Sequence, residues 1–245
     1  SYQVNPDHPT YKSSSYQYAQ PFPNARFAWK INTSQVISLF LNRRVDRPNE
    51  VDIRIFPKYD DAEIIKVGNP ALRPQYTNSV ELGYKLNGNT GYLFTSLYAR
   101  QIESTITRIA RTEPGKTLIY NIFQNAGNSS IKGMEVLWST AVGSIANLNL
   151  NLNAYHNTIS AFSVTNLYPT PEIFSAEKQN LWSGSFKLNA LIHLPRKIDL
   201  QISSVYLAPD VVPQGKTYER HYVDAGIRKN IRNGKGELFF NVTDL

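Results

Sequence analysis

The sequence predicts an all-β chain: an antiparallel, up-and-down meander that forms part of a transmembrane β-barrel. Three observations predict it. Apolar and polar residues alternate with period 2 over segments of about ten residues. Short, turn-rich links alternate strictly with long ones. The chain is poor in charge, at 18%, against the usual quarter of a soluble domain, and rich in aromatics, at 12%. Asn, Ser and Thr fill the difference, which suits strands with one apolar and one polar face.

The elements follow in order. Strands are predicted over 24–31 and 35–44, joined by the turn Asn32-Thr33-Ser34. A long link over 45–77 follows. Within it Pro70 and Pro74 fix φ and lack a donor, so 68–74 cannot join a ladder, and Gly68-Asn69 suits a turn. In the strand over 78–87, Val80, Leu82, Tyr84 and Leu86 alternate with Glu81, Gly83 and Lys85. The turn Asn87-Gly88-Asn89-Thr90 leads to a strand over 91–109, and a long link spans 111–117. The next strand, 118–141, carries an irregular patch, Asn125-Ala126-Gly127-Asn128, read as a bulge. Met134, Val136 and Trp138 there oppose Gly133, Glu135 and Ser139.

The turn Val142-Gly143-Ser144 opens the clearest strand, 146–160. Leu148, Leu150, Leu152 and Ala154 fall on one face, and Asn147, Asn149, Asn151 and Asn153 on the other. A helix would scatter both sets, and Asn is a poor helix former; a strand separates them fully. After a long link over 161–178, the strand 179–193 places Trp182, Phe186, Leu188, Ala190 and Ile192 opposite Ser183, Ser185, Lys187 and Asn189. The turn Pro195-Arg196-Lys197 precedes the strand 198–208, where Ile198, Leu200 and Ile202 oppose Asp199, Gln201 and Ser203. A long link over 209–217, a strand over 218–230 and the turn Asn233-Gly234-Lys235-Gly236 lead to 236–244, where Leu238, Phe240 and Val242 oppose Glu237, Asn241 and Thr243. These are about ten strands, several as long as the ~9–11 residues a spanning strand needs. Tight turns on one side and long loops on the other are the pattern of an outer-membrane barrel. Trp29, Tyr84 and Trp138 each precede a short turn, either as an interfacial girdle or as ordinary strand aromatics.

Composition narrows the chemistry. No Cys is present, so there is no disulfide framework or thiolate site. The net charge of +7 is spread along the chain, so nucleic acid is not an expected partner. No stretch reaches the ~18 apolar residues of a spanning helix, which leaves closed barrels open. The first residues, SYQVNPDHPTYKSSS, have no apolar signal-peptide core, so the chain reads as mature, trimmed or a fragment. His8, His156, His193 and His221 are far apart and show no metal-ligand spacing. No nucleophile elbow accompanies His156 or His221 on a wall, so neither metal, cofactor nor enzymatic activity is expected.

Three clusters are candidate sites. Arg43, Arg44 and Arg47 with Asp46 form either an anion-binding mouth, in contact with ligand or acidic lipopolysaccharide, or an ion-paired strand end. Asn149 and Asn151, with Asn147 and Asn153, either hydrogen-bond a sugar in a lumen or make a wet wall. Asp60, Asp61 and Glu63 either hold a cation or are solvated.

Several motifs resemble the barrel region of TonB-dependent receptors of the Bacteroidetes type. They are Phe22-Pro23-Asn24-Ala25, Asn42-Arg43-Arg44-Val45-Asp46-Arg47-Pro48, Gly133-Met134-Glu135-Val136 and Asn241-Val242-Thr243-Asp244-Leu245. The most specific is Gly68-Asn69-Pro70-Ala71-Leu72-Arg73-Pro74 followed by Glu81-Leu82-Gly83-Tyr84, similar to a family signature in which an outer loop descends into a strand. The resemblance covers about residues 20–245. It implies a partial barrel over 1–245, in the bacterial outer membrane, that serves a receptor importing an iron chelate, cobalamin or glycan. Loops 45–77 and 161–178 would capture the ligand, with Glu81 facing the lumen. Its partners would be outer-membrane lipid, the nutrient, a surface lipoprotein, and TonB through parts not in this chain. No plug domain or TonB box is found, and about ten strands are less than half of a wall of ~22. A soluble or small-barrel ligand-binding module and a purely structural outer-membrane protein are the alternatives. First and last strands are expected to be unpaired edges, which invite association.

Overall fold

A run in which every second residue is apolar can satisfy its backbone by pairing laterally, and each such run here becomes a strand paired with its neighbours in the sheet. The computed structural model describes residues 15–59, 63–112, 115, 117–231 and 236–244. In chain order the elements are β1 (Asn24–Lys30), β2 (Gln35–Asp46), the short helix α1 (Glu50–Ile53), β3 (Lys58–Tyr59), β4 (Ile64–Val67), β5 (Gln75–Asn87) and β6 (Gly91–Glu103). Then come β7 (Ile106–Thr112), β8 (Ile119–Asn125), β9 (Ser129–Val142), β10 (Ala146–Ile159), β11 (Phe162–Asn166) and β12 (Glu172–Ala176). The last are β13 (Gln179–Leu194), β14 (Ile198–Leu207), β15 (Asp210–Val212), β16 (Gly215–Thr217), β17 (Arg220–Ile231) and β18 (Gly236–Val242).

Ten strands form one antiparallel wall in the order β1-β2-β5-β6-β9-β10-β13-β14-β17-β18. As expected, β1 and β18 are its two edges. The expected ten strands correspond to these ten, with two corrections. The predicted strand 91–109 breaks after Glu103, and 118–141 breaks after Asn125. The patch at 125–128 is therefore a connection and not a bulge. At the break, Ser104 takes a φ of 55° and Gly127 a φ of 67°, both left-handed. The two bends face each other: Thr105 N–H donates to Gly127 O at 3.0 Å and Ala126 N–H to Thr105 O at 2.7 Å. The irregular patch 125–128 marks one side of this break, and no glycine, proline or asparagine marks the other, at Ser104.

Beyond the break, β7 and β8 leave the wall and join β3 and β4 in a second sheet, order β3-β4-β8-β7. Its β4–β8 pair is parallel, an exception to the antiparallel rule. The long links over 45–77, 161–178 and 209–217 are likewise folded and not plain loops. They carry α1, β3 and β4, the hairpin β11–β12 and the hairpin β15–β16. The predicted exclusion of 68–74 from any ladder holds. Short links behave as expected. The Asn32 side chain accepts from Ser34 N–H and Gln35 N–H, both at 2.9 Å, closing the first turn. Residues 233–235 of the last turn, with His8, Asp60 and Asp61, lie outside the described residues.

Register separates the two faces of the wall. One row across the outer face reads Phe27, Leu39, Leu82, Leu97, Met134 and Ala154. The row four residues nearer the long links reads Arg43, Asn78, Gln101, Ser130, Thr158 and Asn180. In the described wall strands the outer face carries Arg43, Glu103 and Lys132 towards the long links and Lys229 towards the short ones, with no charge between. The inner face is charged throughout, from Glu81, Arg100 and Glu135 to Asp199 and Arg228.

Among the described residues, Tyr18 and Phe22 cover the apolar face at Tyr76, towards the long links, and most of the rest of it is open. Trp182 is 73% exposed, Trp29 71% and Leu97 58%. Leu148 and Leu150 are half-buried, and Leu152 is exposed. The buried apolar cluster, Ile65, Val67, Tyr120 and Ile122, lies instead in the second sheet, flanked by Ile55, Leu118, Leu167 and Tyr168.

Candidate functional site

The inner face of the wall and the folded long links meet at one end of the barrel segment. On the inner face, Tyr98, Gly133 and Tyr155 are register neighbours on β6, β9 and β10. A Cβ on Gly133 would lie 2.7 Å from Tyr98 Cζ and 2.7 Å from Ala154 O. Only glycine lets the Tyr98 ring cross β9 and donate its hydroxyl to Asn153 Oδ1 at 2.8 Å. Glu135 accepts from Asn151 Nδ2 at 2.9 Å. The Gly133 and Glu135 motif thus fixes a phenol, amide and carboxylate surface across three strands. Glu81 faces inward beside Tyr98, as the sequence predicts, and Asn149 is exposed on the same inner face.

The hairpin β15–β16 folds onto this surface. Asp210 accepts from Tyr155 Oη at 2.8 Å and from Asn157 Nδ2 at 2.9 Å. At the hairpin tip, the Gln214 side chain donates to Ala110 O at 2.9 Å and accepts from Ala110 N–H at 2.7 Å. A side-chain amide thereby pairs with the edge of β7 as a strand would.

The signature around Gly68 is the knot of the outer module. Gly68 lies against α1: a Cβ there would be 2.4 Å from Arg54 O. Its N–H donates to Arg54 O at 3.1 Å, and Asn69 N–H to Asp52 O at 2.7 Å. The helix start is held by Asn49, whose side chain accepts from Asp52 N–H while Asp52 accepts in return. Asn69 Nδ2 donates to Gln124 Oε1 at 3.0 Å, and Gln124 Nε2 donates to Asn166 Oδ1 at 2.9 Å and Thr165 O at 3.0 Å. Asn125 accepts from Arg73 N–H and donates to Arg73 O and Ser104 O. The long links 45–77 and 161–178 are therefore tied to β8 through one polar chain, with Pro70, Leu72 and Pro74 buried beside it. Arg111 adds an ion pair to Glu172 and a bond to Thr170 O.

The three arginines do not act together. Arg43 and Arg44 are adjacent on β2, so they point to opposite faces. Arg43 lies on the outer face over the Tyr76 ring, 5.4 Å from its centroid. Arg44 turns inward and pairs with Asp46 at 3.5 Å. Arg47, beyond β2, hydrogen-bonds the Tyr18 hydroxyl, which raises its pKa above the ordinary arginine value. Glu63 is described and exposed, with no acidic cluster around it among the described residues. His156 and His221 are on the outer face, His156 against Trp182 at 5.2 Å.

Sequence reading missed one inner cluster near the short turns. Asp199 accepts from Arg228 at 2.7 Å and contacts His193 Nδ1 at 2.7 Å, and Arg228 also pairs with Glu237 at 3.2 Å. It also missed Tyr98, Gln124, Asn166, Asp210 and Gln214. The one available signal was the period-2 parity, which places Asp199, Arg228 and Glu237 on the same face.

A family model described as the outer membrane protein beta-barrel family matches residues 2–245. None of the curated proteins matches the sequence. Among solved structures, the chain is similar to the siderophore receptor PirA from Pseudomonas aeruginosa, with TM-score 0.61 and 10% identity, over 91% of this chain and 38% of that one. It is similar to a mutant of the ferric enterobactin receptor PfeA from the same organism, with TM-score 0.57 and 11% identity, over 91% and 34%. The copper transporter OprC matches with TM-score 0.57 and 11% identity, over 90% and 33%. The likeness is one of fold, and the chain spans about a third of these structures' length.

Proposed function

Because the chain belongs to the outer membrane protein beta-barrel family, and so to the bacterial outer membrane, we propose that it supplies wall and outer loops to a TonB-dependent receptor that binds a nutrient and imports it. The nutrient is an iron chelate, cobalamin or glycan. Iron chelates come first, since PirA and PfeA are described as siderophore and ferric enterobactin receptors.

One observation carries the reading: the long links fold into a single module tied to the inner wall through Asp210. A purely structural wall has no use for such a module on its polar side. In this reading Arg44 and Arg47 line the mouth, and Glu81, Asn149 and Asn151 line the passage below it. Gly68, Asn69, Pro70, Leu72 and Pro74 hold the mouth in shape, and Gly133 and Glu135 the inner surface. The segment performs no catalysis. The coupling to TonB, and a surface lipoprotein partner, belong to the receptor as a whole.

The test is uptake of a labelled ferric siderophore by cells expressing the full-length protein. The expected result is uptake that needs TonB and is lost on deletion of 45–77, with the barrel still resistant to unfolding in cold detergent. TonB-independent uptake, or uptake unchanged by the deletion, would overturn the receptor reading.

A further inference from the structure

The outer face holds a feature that ligand import does not use. Two cavities lie one above the other on β2, β5 and β6. The lower, about 260 Å³, is lined by Ile37, Leu82, Tyr84, Thr95 and Leu97 and is almost wholly apolar. The upper, about 400 Å³, has a floor of Leu41, Val80 and Ala99 and is rimmed by Arg43, Asn78, Gln101, Ser130 and Lys132. Leu82, 50% exposed, and Leu97, 58% exposed, join the two into one shelf.

The charge of the upper rim is out of place unless something answers it. Lys132 is exposed, between Ala99 and His156 in register, on a face with no other charge until the strand ends. The Arg43 guanidinium lies over the Tyr76 ring and its Nη2 donates to Gln20 Oε1, which leaves Nε shielded from water without a partner and the positive charge unneutralised. No carboxylate pairs with Arg43 or Lys132 among the described residues. Glu103, one row further out, is engaged by Asn78 Nδ2 at 3.3 Å. A cation at the edge of hydrocarbon is favourable beside an anion held at that depth.

We propose that this shelf binds one anionic lipid of the surrounding membrane, with a phosphorylated headgroup between Arg43 and Lys132 and an acyl chain along Leu82 and Leu97. Strands are about 4.8 Å apart, so the step from β2 across β5 and β6 to β9 is roughly 14 Å. Two long side chains reaching inward across that gap grip a headgroup the size of a phosphorylated sugar better than a lone phosphate. Asn78, Gln101 and Ser130 supply neutral donors to the remaining oxygens. Free phosphate would use the rim and leave the apolar groove empty; a neutral lipid would use the groove and leave the cations unanswered.

Native mass spectrometry of the full-length protein in a mild detergent tests this. It is titrated with a phosphorylated saccharolipid, with phosphatidylcholine and with inorganic phosphate. The expected result is one tightly retained saccharolipid, at least tenfold weaker retention of phosphatidylcholine, and no displacement by millimolar phosphate. Arg43→Ala with Lys132→Ala should weaken retention at least tenfold, Lys132→Arg should keep it, and Lys229→Ala, at the other end of the same face, should leave it unchanged. Equal retention of both lipids, ready displacement by phosphate, or retention indifferent to the double substitution would each overturn the proposal. Should the double variant fail to fold, the lipid comparison on the natural protein decides alone.

Discussion

The wall and the outer module are built from the same kind of strand and are stabilised by opposite means. In the module, apolar side chains turn towards each other: Val67 and Ile109 are fully buried, and Ile122 nearly so. In the wall they turn away from the chain, and the largest of them stay open. The module resembles a small water-soluble sheet, with a dry interior and a buried amide chain, whereas the wall depends on an external apolar medium. A substitution should therefore read differently in the two regions, even where its chemistry is the same.

The largest expected difference is a truncation. Ile122→Ala should cost the module about 2–5 kcal/mol, because its neighbours cannot close the cavity. Leu148→Ala on the wall should cost well under that, since lipid chains fill the gap. Urea unfolding in lipid vesicles, with hydrogen exchange to localise the loss, measures both. Comparable losses would erase the distinction. Next in size is a charge: Leu152→Arg should cost about 2–4 kcal/mol in the same vesicles, and Asn149→Arg close to none. Equal costs would mean that the two faces meet the same medium.

A smaller effect is expected from Gln124→Leu, which strands Asn69 and Asn166 in a buried setting at about 1–3 kcal/mol. Protease sensitivity of 161–178 should rise with it, while the wall stays intact. Asp210→Ala, which removes the carboxylate that accepts from Tyr155 Oη, Asn157 Nδ2 and Val211 N–H, should act most locally. It should speed hydrogen exchange in 210–217 without altering exchange in β10. Faster exchange in β10 would show that the hairpin supports the wall rather than resting on it.

The same contrast explains what the sequence made legible. In the wall, Leu148 to Ala154 and their Asn neighbours announce both strand and faces, because parity is local and every wall strand shares it. Neighbouring arginines misled for the same reason: Arg43 and Arg44 look like one cluster until parity sends them to opposite faces. The module was hidden because its bonds are non-local. Gln124 meets Asn166 forty-two residues on, and Gln214 meets Ala110 across 104 residues. Around Ser104 no glycine, proline or asparagine marks the left-handed turn. Gly68 and Gly133 could be noticed as motif residues, but their reasons are close approaches to Arg54 and Tyr98 that arise only once the chain is folded.

The account rests on which medium touches the even-numbered residues of β10. The chain has no cysteine, so single cysteines bearing a spin label can be placed at each position from 147 to 154 of the full-length protein in lipid vesicles. Collisions with oxygen, which partitions into lipid, and with a water-soluble nickel complex then report the surroundings of each label. The account predicts strict alternation, with oxygen dominating at 148, 150, 152 and 154 and nickel at 147, 149, 151 and 153. Labels at 148, 150 and 152 that are immobile and reached by neither reagent would contradict it.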